Sequence, residues 1–303
     1  MIESARDTPT TVVEPQASPT GRRGSLFGFS RRQRLLVHAC LIGFGFIMLY
    51  PLIWMVGSSF TPIHYIFSDP SPWPREFTFQ HYVDGWNALP RSFTVFFSNS
   101  MLVAIGCVLG NLISCSFAAY AFARLRFRMR KTLFAVMLVT IMLPYHAVMV
   151  PQYIAFSSIG LVNTFYPLII PKMLATDAFF IFLMVQFIRG LPRELDQQSF
   201  VDGCGPIRTY WHIILPLMTP ALATAAIFTF IWNWNDFLMP LIYLTDTDMF
   251  TVPVALSSLL DSETQQGWGP MLAMSVLSLV PIFIFFVAAQ KYLVRGIATT
   301  GIK

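Results

Sequence analysis

Charged side chains are scarce in this chain. Asp, Glu, Lys and Arg make up 12% of its 303 residues, whereas they make up about 25% of a typical soluble domain. Hydrophobic side chains make up 55%. This composition argues against an ordinary water-soluble domain and points to a protein that lies in a lipid bilayer.

The sequence also lacks the motifs of catalysis and of metal binding. It has no Gly-x-x-x-x-Gly-Lys-Ser/Thr loop to cradle nucleotide phosphates, so we do not expect the chain to hydrolyse ATP itself. Its five histidines and four cysteines show no metal-ligand or redox spacing. No Ser/His/Asp set or catalytic carboxylate pair is evident. The chain is therefore predicted to have no catalytic site, no bound cofactor and no metal.

Long apolar runs take up most of the sequence. Six of them are long enough to cross about 30 Å of hydrocarbon as helices. They cover residues 35–56, 101–123, 132–150, 166–188, 222–244 and 271–289. The sequence therefore predicts an all-α membrane protein with six transmembrane helices, contained in a membrane domain at 35–290.

Basic residues mark one side of this predicted membrane domain. Seventeen of the 20 lie in the polar tail 1–34, the loop after the second span, the loop after the fourth span, or the tail 291–303. Lys and Arg are enriched in cytoplasmic loops, so both termini and the loop 189–212 are predicted to be cytoplasmic. The first tail is predicted to be disordered up to Arg31. The same bias accounts for the net charge of +5, so we expect no nucleic-acid partner.

Prolines and polar residues shape the remaining segments. Pro144 and Pro151 in the third span, and Pro167 and Pro171 in the fourth, predict kinks because each removes a backbone hydrogen bond. Such kinks are found both beside substrate cavities and as simple packing features. The segment 245–270 is acidic and polar, and it predicts an outer loop that is either solvated or in contact with an external partner.

A polar segment at 191–216 separates the fourth and fifth spans. Pro192 suits the start of a helix, and Glu194 and Asp196 suit the positive end of its dipole. Gly203 is expected to end that helix in the left-handed conformation. The sequence therefore predicts a short cytoplasmic helix between spans four and five, and a soluble partner that docks on it.

A second short helix is predicted to follow. Ile207, Tyr210, Trp211 and Ile214 are spaced i, i+3, i+4, i+7, which places them on one helix face. Pro216 then redirects the chain into the fifth span.

This segment resembles the coupling loop of ABC importer permeases. The family pattern is Glu-Ala-Ala, three residues, Gly, nine residues, Ile-x-Leu-Pro. Gly203, Ile213, Leu215 and Pro216 match it at the right spacing. The Glu-Ala-Ala positions hold Gln197-Gln198-Ser199 instead, so the anion that the family presents to its ATPase is missing there, and Glu194 or Asp196 would have to supply it.

Other segments are similar to the carbohydrate-uptake permeases of this family. They are Met142-Leu143-Pro144, Gly160-Leu161-Val162-Asn163-Thr164, Trp234-Asn235-Asp236-Phe237, and the ending from Gln290 to Lys303. The ending resembles that of the smaller permease subunit of maltose-type transporters, whose tail enters the ATPase dimer interface. That resemblance implies an ATPase contact at Thr300, Gly301, Ile302 and Lys303.

The resemblance implies a sugar or oligosaccharide importer of the bacterial inner membrane that works by alternating access. The partners would be a homologous second permease, two ATPase subunits that bind ATP and Mg, an extracytoplasmic solute-binding protein, and membrane lipid. The expected ATPase-coupling residues are Gln197, Gln198, Ser199, Val201, Asp202, Gly203, Cys204, Ile207 and Pro216. The alternative is that these side chains only pack against the inner ends of the spans.

A substrate path is predicted near the outer ends of spans four and five. Its candidates are Lys172, Asp177, Asn233, Asn235 and Asp236. Charged and polar groups at membrane depth are energetically costly, so those that are present usually serve a function. The alternatives are a local Lys172–Asp177 pair and a helix-ending Asn/Asp group in an aromatic belt. A Lys172 side chain facing the cavity would favour an anionic sugar, such as an oligouronide (alginate), or a sugar or glycerol phosphate.

A different class of transporter would explain the same spans. An ion-coupled secondary transporter needs carboxylates at membrane depth as ion sites. Only Asp177 and Asp236 are candidates for such a site. It would have no need of a cytoplasmic docking segment, and dependence on a separate ATPase distinguishes the two classes.

Overall fold

The computed structural model describes residues 31–69, 71–260 and 267–300, with side chains up to Tyr292. Regular structure in these ranges is helical. The α-helices are α1 (Arg31–Ser59), α2 (Ile63–Ile66), α3 (Gln80–Asn87), α4 (Phe93–Arg124), α5 (Arg130–Thr140), α6 (Tyr145–Ser158), α7 (Tyr166–Met173), α8 (Ala178–Gly190), α9 (Glu194–Val201), α10 (Pro206–Thr209), α11 (Leu215–Leu217), α12 (Thr219–Trp234), α13 (Leu238–Tyr243), α14 (Val252–Leu260) and α15 (Trp268–Thr300). A π-helical turn at Tyr210–Ile214 joins α10 to α11, and a 3-10 turn at Thr247–Met249 precedes α14.

The chain divides into two compact units, Met1–Pro51 and Leu52–Lys303. The described part of the first unit is the beginning of α1, where Leu36, Phe44 and Ile47 are exposed. A helix that is apolar all round suits a lipid environment. Residues 1–30 of the predicted tail lie outside the described part of the chain. Residues 31–34, the last four of that tail, form the first turn of α1.

Helix α4 runs through the core of the second unit. Its fully buried residues contribute to three buried clusters. Ala119 shares a cluster with side chains of α8, Phe96 with the end of α12, and Cys107 with α7. Long apolar helices bury their side chains against one another in this way because their backbone groups are already satisfied within each helix.

Small residues bring α4 and α7 into close contact. A Cβ atom added at Gly106 would lie 3.0 Å from Ile169 Cδ1, and one added at Gly110 would lie 2.8 Å from Met173 Cγ. The four-residue spacing of the two glycines places both on one side of α4. Pairs of small residues at this spacing let membrane helices approach closely.

Four helical stretches are long and apolar enough to cross a membrane without a sharp bend: Arg31–Ser59, Phe93–Arg124, Tyr166–Gly190 and Trp268–Tyr292. Two further pairs pass the same test together but are bent, Arg130–Thr140 with Tyr145–Ser158 by 100° and Pro206–Leu217 with Thr219–Trp234 by 75°. The described residues therefore hold four to six candidate spans. The predicted all-α membrane protein is confirmed at this coarser level.

The predicted third span, 132–150, is not one continuous helix. Helix α5 ends at Thr140 and α6 begins at Tyr145, at 100° to it. Pro144 is the residue just before α6. It has no N–H to continue a helix from α5, and it disfavours helical geometry in the residue before it. The predicted kink is therefore a break.

Several predicted boundaries also differ from the helices. Helix α4 begins eight residues before the predicted span 101–123. The sequence prediction began too late because Ser, Thr and Asn lower the hydropathy of residues 93–100, although Phe93 and Phe96 are fully buried. Helix α15 continues through the predicted tail to Thr300. The predicted loop 245–270 contains α14, where Val252 and Ala255 are buried.

Candidate functional site

The polar segment forms a helix that ends at a glycine, as the sequence predicts. Helix α9 spans Glu194–Val201, and Gly203 has φ +74°. The Gly203 N–H donates to Phe200 O at 3.0 Å, and the Cys204 N–H donates to Ser199 O at 2.9 Å. These bonds satisfy two carbonyls in the last turn of α9, and the chain then turns toward α10.

The turn presents an exposed apolar patch, which we define as Phe200, Val201 and Ile207. Their exposed fractions are 80%, 84% and 73%. The Ser199 and Thr209 hydroxyls hydrogen-bond to each other and hold α9 against α10. Sequence reasoning missed Phe200. The available signal was a large aromatic side chain in a polar segment, immediately before Val201.

Polar side chains of Ser116, Tyr120 and Arg124 attach this segment to α4. The Tyr120 hydroxyl donates to Pro206 O at 3.0 Å. The Ser116 and Tyr210 hydroxyls are 2.7 Å apart. Arg124 Nη2 donates to Leu191 O at 2.9 Å. These contacts hold the segment against the end of α4.

The four residues predicted to share one face of the second short helix differ in exposure. Tyr210 and Ile214 are 2% and 0% exposed, whereas Ile207 and Trp211 are 73% and 47% exposed. Residues four positions apart keep the same environment, Ile207 with Trp211 and Tyr210 with Ile214. The boundary between the exposed and the buried side therefore runs along the predicted stripe.

The other expected coupling residues have different environments. Gln197, Gln198, Asp202 and Pro216 are exposed, Cys204 is half-buried, and Ser199 is buried. The Ser199 side chain therefore holds the segment together and is not available to a partner. Arg124 Nε lies 3.1 Å from Asp196 Oδ2, so the Asp196 carboxylate is paired. Glu194, the other proposed substitute for the missing glutamate, is exposed and does not share this ion pair.

Lys172 and Asp177 flank the break between α7 and α8 and form an ion pair. Lys172 Nζ lies 2.9 Å from Asp177 Oδ2 and 3.1 Å from Oδ1. Both side chains are about one-quarter exposed, at 23% and 24%. The structure thus shows the local pairing that the sequence left as one alternative, and the pair has no net charge.

The polar groups at the end of α12 are hydrogen-bonded mainly to nearby backbone groups. Asn233 Nδ2 donates to Thr229 O at 2.7 Å, and Asn235 Nδ2 donates to Ile231 O at 2.8 Å. Asp236 Oδ1 accepts from the Met239 N–H at 3.3 Å. This arrangement favours the helix-ending interpretation of the Asn/Asp group over a substrate contact.

A buried polar network joins α4 to α12, and sequence reasoning missed it. Asn111 is 1% exposed, and its Nδ2 donates to Thr229 Oγ1 at 2.7 Å. The Cys115 thiol donates to Asn111 Oδ1 at 2.7 Å. A buried amide needs such partners. An asparagine within a long apolar run was the signal that could have found it.

A cavity of about 930 Å³ lies beside α4 and α7. Its lining is almost entirely apolar and includes Met101, Ile105, Leu109 and Ile169. Sugar hydroxyls need convergent polar groups, so this lining suits lipid or helix packing better than a sugar.

Comparison with known proteins identifies the family. The model described as "Binding-protein-dependent transport system inner membrane component" matches residues 110–299. The probable ABC transporter permease protein YurM of Bacillus subtilis (strain 168) is 34% identical over 255 residues, which cover 84% of this chain and 83% of that protein. The arabinooligosaccharides transport system permease protein AraQ of Halalkalibacterium halodurans is 34% identical over 273 residues, covering 86% and 95%. The trehalose/maltose transport system permease protein MalG of Thermococcus litoralis is 30% identical over 273 residues, covering 90% and 97%.

A solved structure has the same fold. It is a chain in the crystal structure of a bacterial ABC transporter involved in the import of the acidic polysaccharide alginate, with a TM-score of 0.76 over 87% of this chain and 98% of that chain. The two are 22% identical, so this likeness bears on the fold alone. The family match confirms the predictions of a non-catalytic permease in the inner membrane, and the chain belongs to the binding-protein-dependent transport system inner membrane components of ABC transporters.

Proposed function

We propose that this chain is one of two homologous permease subunits of an ABC importer that carries an oligosaccharide into the cytoplasm. The observation that carries the proposal is the set of substrates in the names of its relatives. At 28–34% identity they are permeases for arabinooligosaccharides, diacetylchitobiose, galactooligosaccharides and trehalose/maltose. These sugars differ from one another, so they support the substrate class and not a particular sugar. Membership in an ABC family sets aside the ion-coupled secondary transporter.

The proposed topology has six spans with both termini in the cytoplasm. It is supported by the two bent helix pairs, which bring the number of candidate spans to six when each pair counts as one. The concentration of Lys and Arg in alternate loops supports the orientation. The proposed ATPase contact at 300–303 begins at the end of α15, and residues 301–303 lie outside the described part of the chain.

Coupling to ATP is proposed to run through the exposed apolar patch of Phe200, Val201 and Ile207. Two ATPase subunits would bind ATP and Mg, and closure of their dimer would move the patch and, through it, α4. Gln197 is neutral and the Asp196 carboxylate is paired with Arg124, so the exposed anion of α9 is Glu194, three residues before the family's glutamate position. Docking there would therefore rest on shape and apolar burial, which excludes water from the contact.

A neutral substrate fits this chain better than an anionic one. An oligouronide or a sugar phosphate would need an unpaired cation in the path, and Lys172 is paired with Asp177 at 2.9 Å. The pair offers no net charge to an anion. Identifying the sugar that the associated solute-binding protein retains would settle the class: an acidic sugar there would overturn this part of the proposal.

The coupling proposal is tested on the complex reconstituted in proteoliposomes. Phe200→Ser/Val201→Ser should weaken ATPase retention and abolish ATP-driven uptake, because the docking surface loses its apolar side chains. Val83→Ser, on α3 and exposed to 57%, is the matched control and should leave both unchanged. Unchanged ATPase retention and uptake in the double variant would show that the patch is not the docking site.

A further inference from the structure

We propose that a basic cavity between the end of α4 and the start of α5 binds the headgroup of an anionic phospholipid. The cavity has a volume of about 530 Å³. Five of the described residues that line it are cations: Arg124, Arg126, Arg130, Lys131 and Arg193. None of its described lining residues is acidic. The inference is independent of the transported substrate.

Most of the positive charge in this cavity is not neutralised by the protein. Arg124 is paired with Asp196. The remaining ion pairs of the described ranges lie elsewhere. They join Arg75 to Asp69, Arg91 to Asp248, and Lys172 to Asp177. The other four cations of the cavity therefore have no carboxylate within ion-pair distance among the residues that the structure describes. Four like charges around one space repel each other, and a bound anion would relieve that repulsion.

The first turn of α5 adds to the positive potential. Arg130, Lys131 and Thr132 are its first three residues, and all three line the cavity. No side chain caps this helix end, and its first turn contains no acidic residue. The Arg130 N–H already donates to Phe127 O at 3.4 Å, and the positive end of the helix dipole favours a phosphate at such a position. The helix end and the cations thus point to the same ligand.

The surroundings favour a lipid over a free phosphate. Phe127 and Met129 also line the cavity and are 40% and 59% exposed. Along α5, Leu133, Val136 and Val139 continue this apolar surface at 46%, 56% and 61% exposure. A phosphate in the cavity would therefore have acyl-binding surface next to it. Basic pockets beside membrane helices on the cytoplasmic side bind anionic headgroups in this way.

The test is native mass spectrometry of the purified full chain, titrated separately with phosphatidylglycerol, phosphatidylcholine and glycerol 3-phosphate. The cavity variant is Arg126→Gln/Lys131→Gln/Arg193→Gln. The matched control is Arg31→Gln/Arg32→Gln/Arg34→Gln, which removes the same charge from the start of α1, outside the cavity. Thermal unfolding checks that both variants remain folded.

We expect the wild-type chain to retain phosphatidylglycerol in preference to phosphatidylcholine. The cavity variant should bind phosphatidylglycerol on the order of tenfold to a hundredfold more weakly, given the contribution of each cation at an anionic surface, and the control should bind as wild type. Equal losses in the two variants, or no preference for the anionic lipid, would overturn the proposal. So would equally tight binding of glycerol 3-phosphate, which would assign the cavity to free phosphates. Unchanged phosphatidylglycerol binding in the cavity variant would overturn the proposal as well.

Discussion

The hydroxyl groups of Ser116 and Tyr210 lie 2.7 Å apart, and both side chains are buried. Ser116 is on α4, and Tyr210 is the first residue of the π-helical turn after α10. The contact therefore joins the polar coupling segment to the helix that runs through the core. The Tyr210 ring also stacks on Phe117, with centroids 4.5 Å apart. Both interactions resist separation of the segment from α4.

Removing one partner of this hydroxyl pair should cost more stability than removing both. Ser116→Ala leaves the Tyr210 hydroxyl buried without a partner, which should destabilise the protein by about 1–3 kcal/mol. Ser116→Ala/Tyr210→Phe removes both polar groups and should recover part of that loss. Thermal unfolding of the purified variants in detergent measures the effect. Additive losses in the double variant would show that the two hydroxyls do not depend on each other.

The end of α9 should tolerate only residues that accept a left-handed backbone. Gly203 has φ +74°, and a Cβ added there would meet no atom within 4 Å. Gly203→Ala should therefore cost about 1–2 kcal/mol from backbone strain alone, and Gly203→Asn should cost less because Asn accepts this conformation.

Gly205→Ala is the matched control for that series. Gly205 has φ −73°, and a Cβ there also has open space. The Gly205→Ala variant should therefore unfold at nearly the wild-type temperature. If Gly203→Ala and Gly205→Ala unfold at the same temperature, the left-handed turn is not what shapes the coupling segment.

Features decided by single residues were predictable from the sequence. Gly203 was expected to end α9 because glycine has little cost at positive φ, and the structure has it there. Pro144 predicts a kink for equally local reasons, and the structure has a full break just before it. The 100° angle that follows was not predictable, because it depends on what the two halves pack against.

Features decided by contacts between distant residues were not predictable. From the sequence alone, Lys172 could either pair locally or face a cavity. The backbone between α7 and α8 brings Asp177 to it, and the two side chains form an ion pair. Asn111 and Thr229 are 118 positions apart, and no periodicity within either run indicates their bond. The exposure of Phe200 depends likewise on how α9 lies against α10.

The ion pair between Arg91 and Asp248 makes stability depend on pH. Arg91 Nε and Nη2 each lie 2.6 Å from a carboxylate oxygen of Asp248. This hydrogen bonding lowers the pKa of Asp248 from its usual value. The folded state therefore favours the charged carboxylate more than the unfolded state does. In the unfolded state the pKa of an Asp side chain is about 3.9. The stabilisation is present above that pH and is lost as the pH falls through the folded-state pKa.

The expected result is a difference in unfolding temperature between wild type and Arg91→Gln that is largest near neutral pH and disappears on acidification. Both side chains are exposed, so the difference should be small and should shrink with added salt. In an Asp248→Asn background, Arg91→Gln should have no further effect. A difference that persists at low pH would mean that Arg91 stabilises through some other contact.

Close approach of α4 and α7 should depend on the absence of a side chain at Gly110. A Cβ there would lie 2.8 Å from Met173 Cγ and 3.2 Å from Met173 N. The side chain can move, but the backbone nitrogen cannot move without displacing α7. Gly110→Val should therefore lower the unfolding temperature, with an overpacking cost of about 1–3 kcal/mol. The same substitution at Gly190, where an added Cβ meets nothing within 4 Å, should have little effect. Met173→Ala should restore only part of the loss, because the backbone contact remains; full restoration would place the clash in the side chain alone.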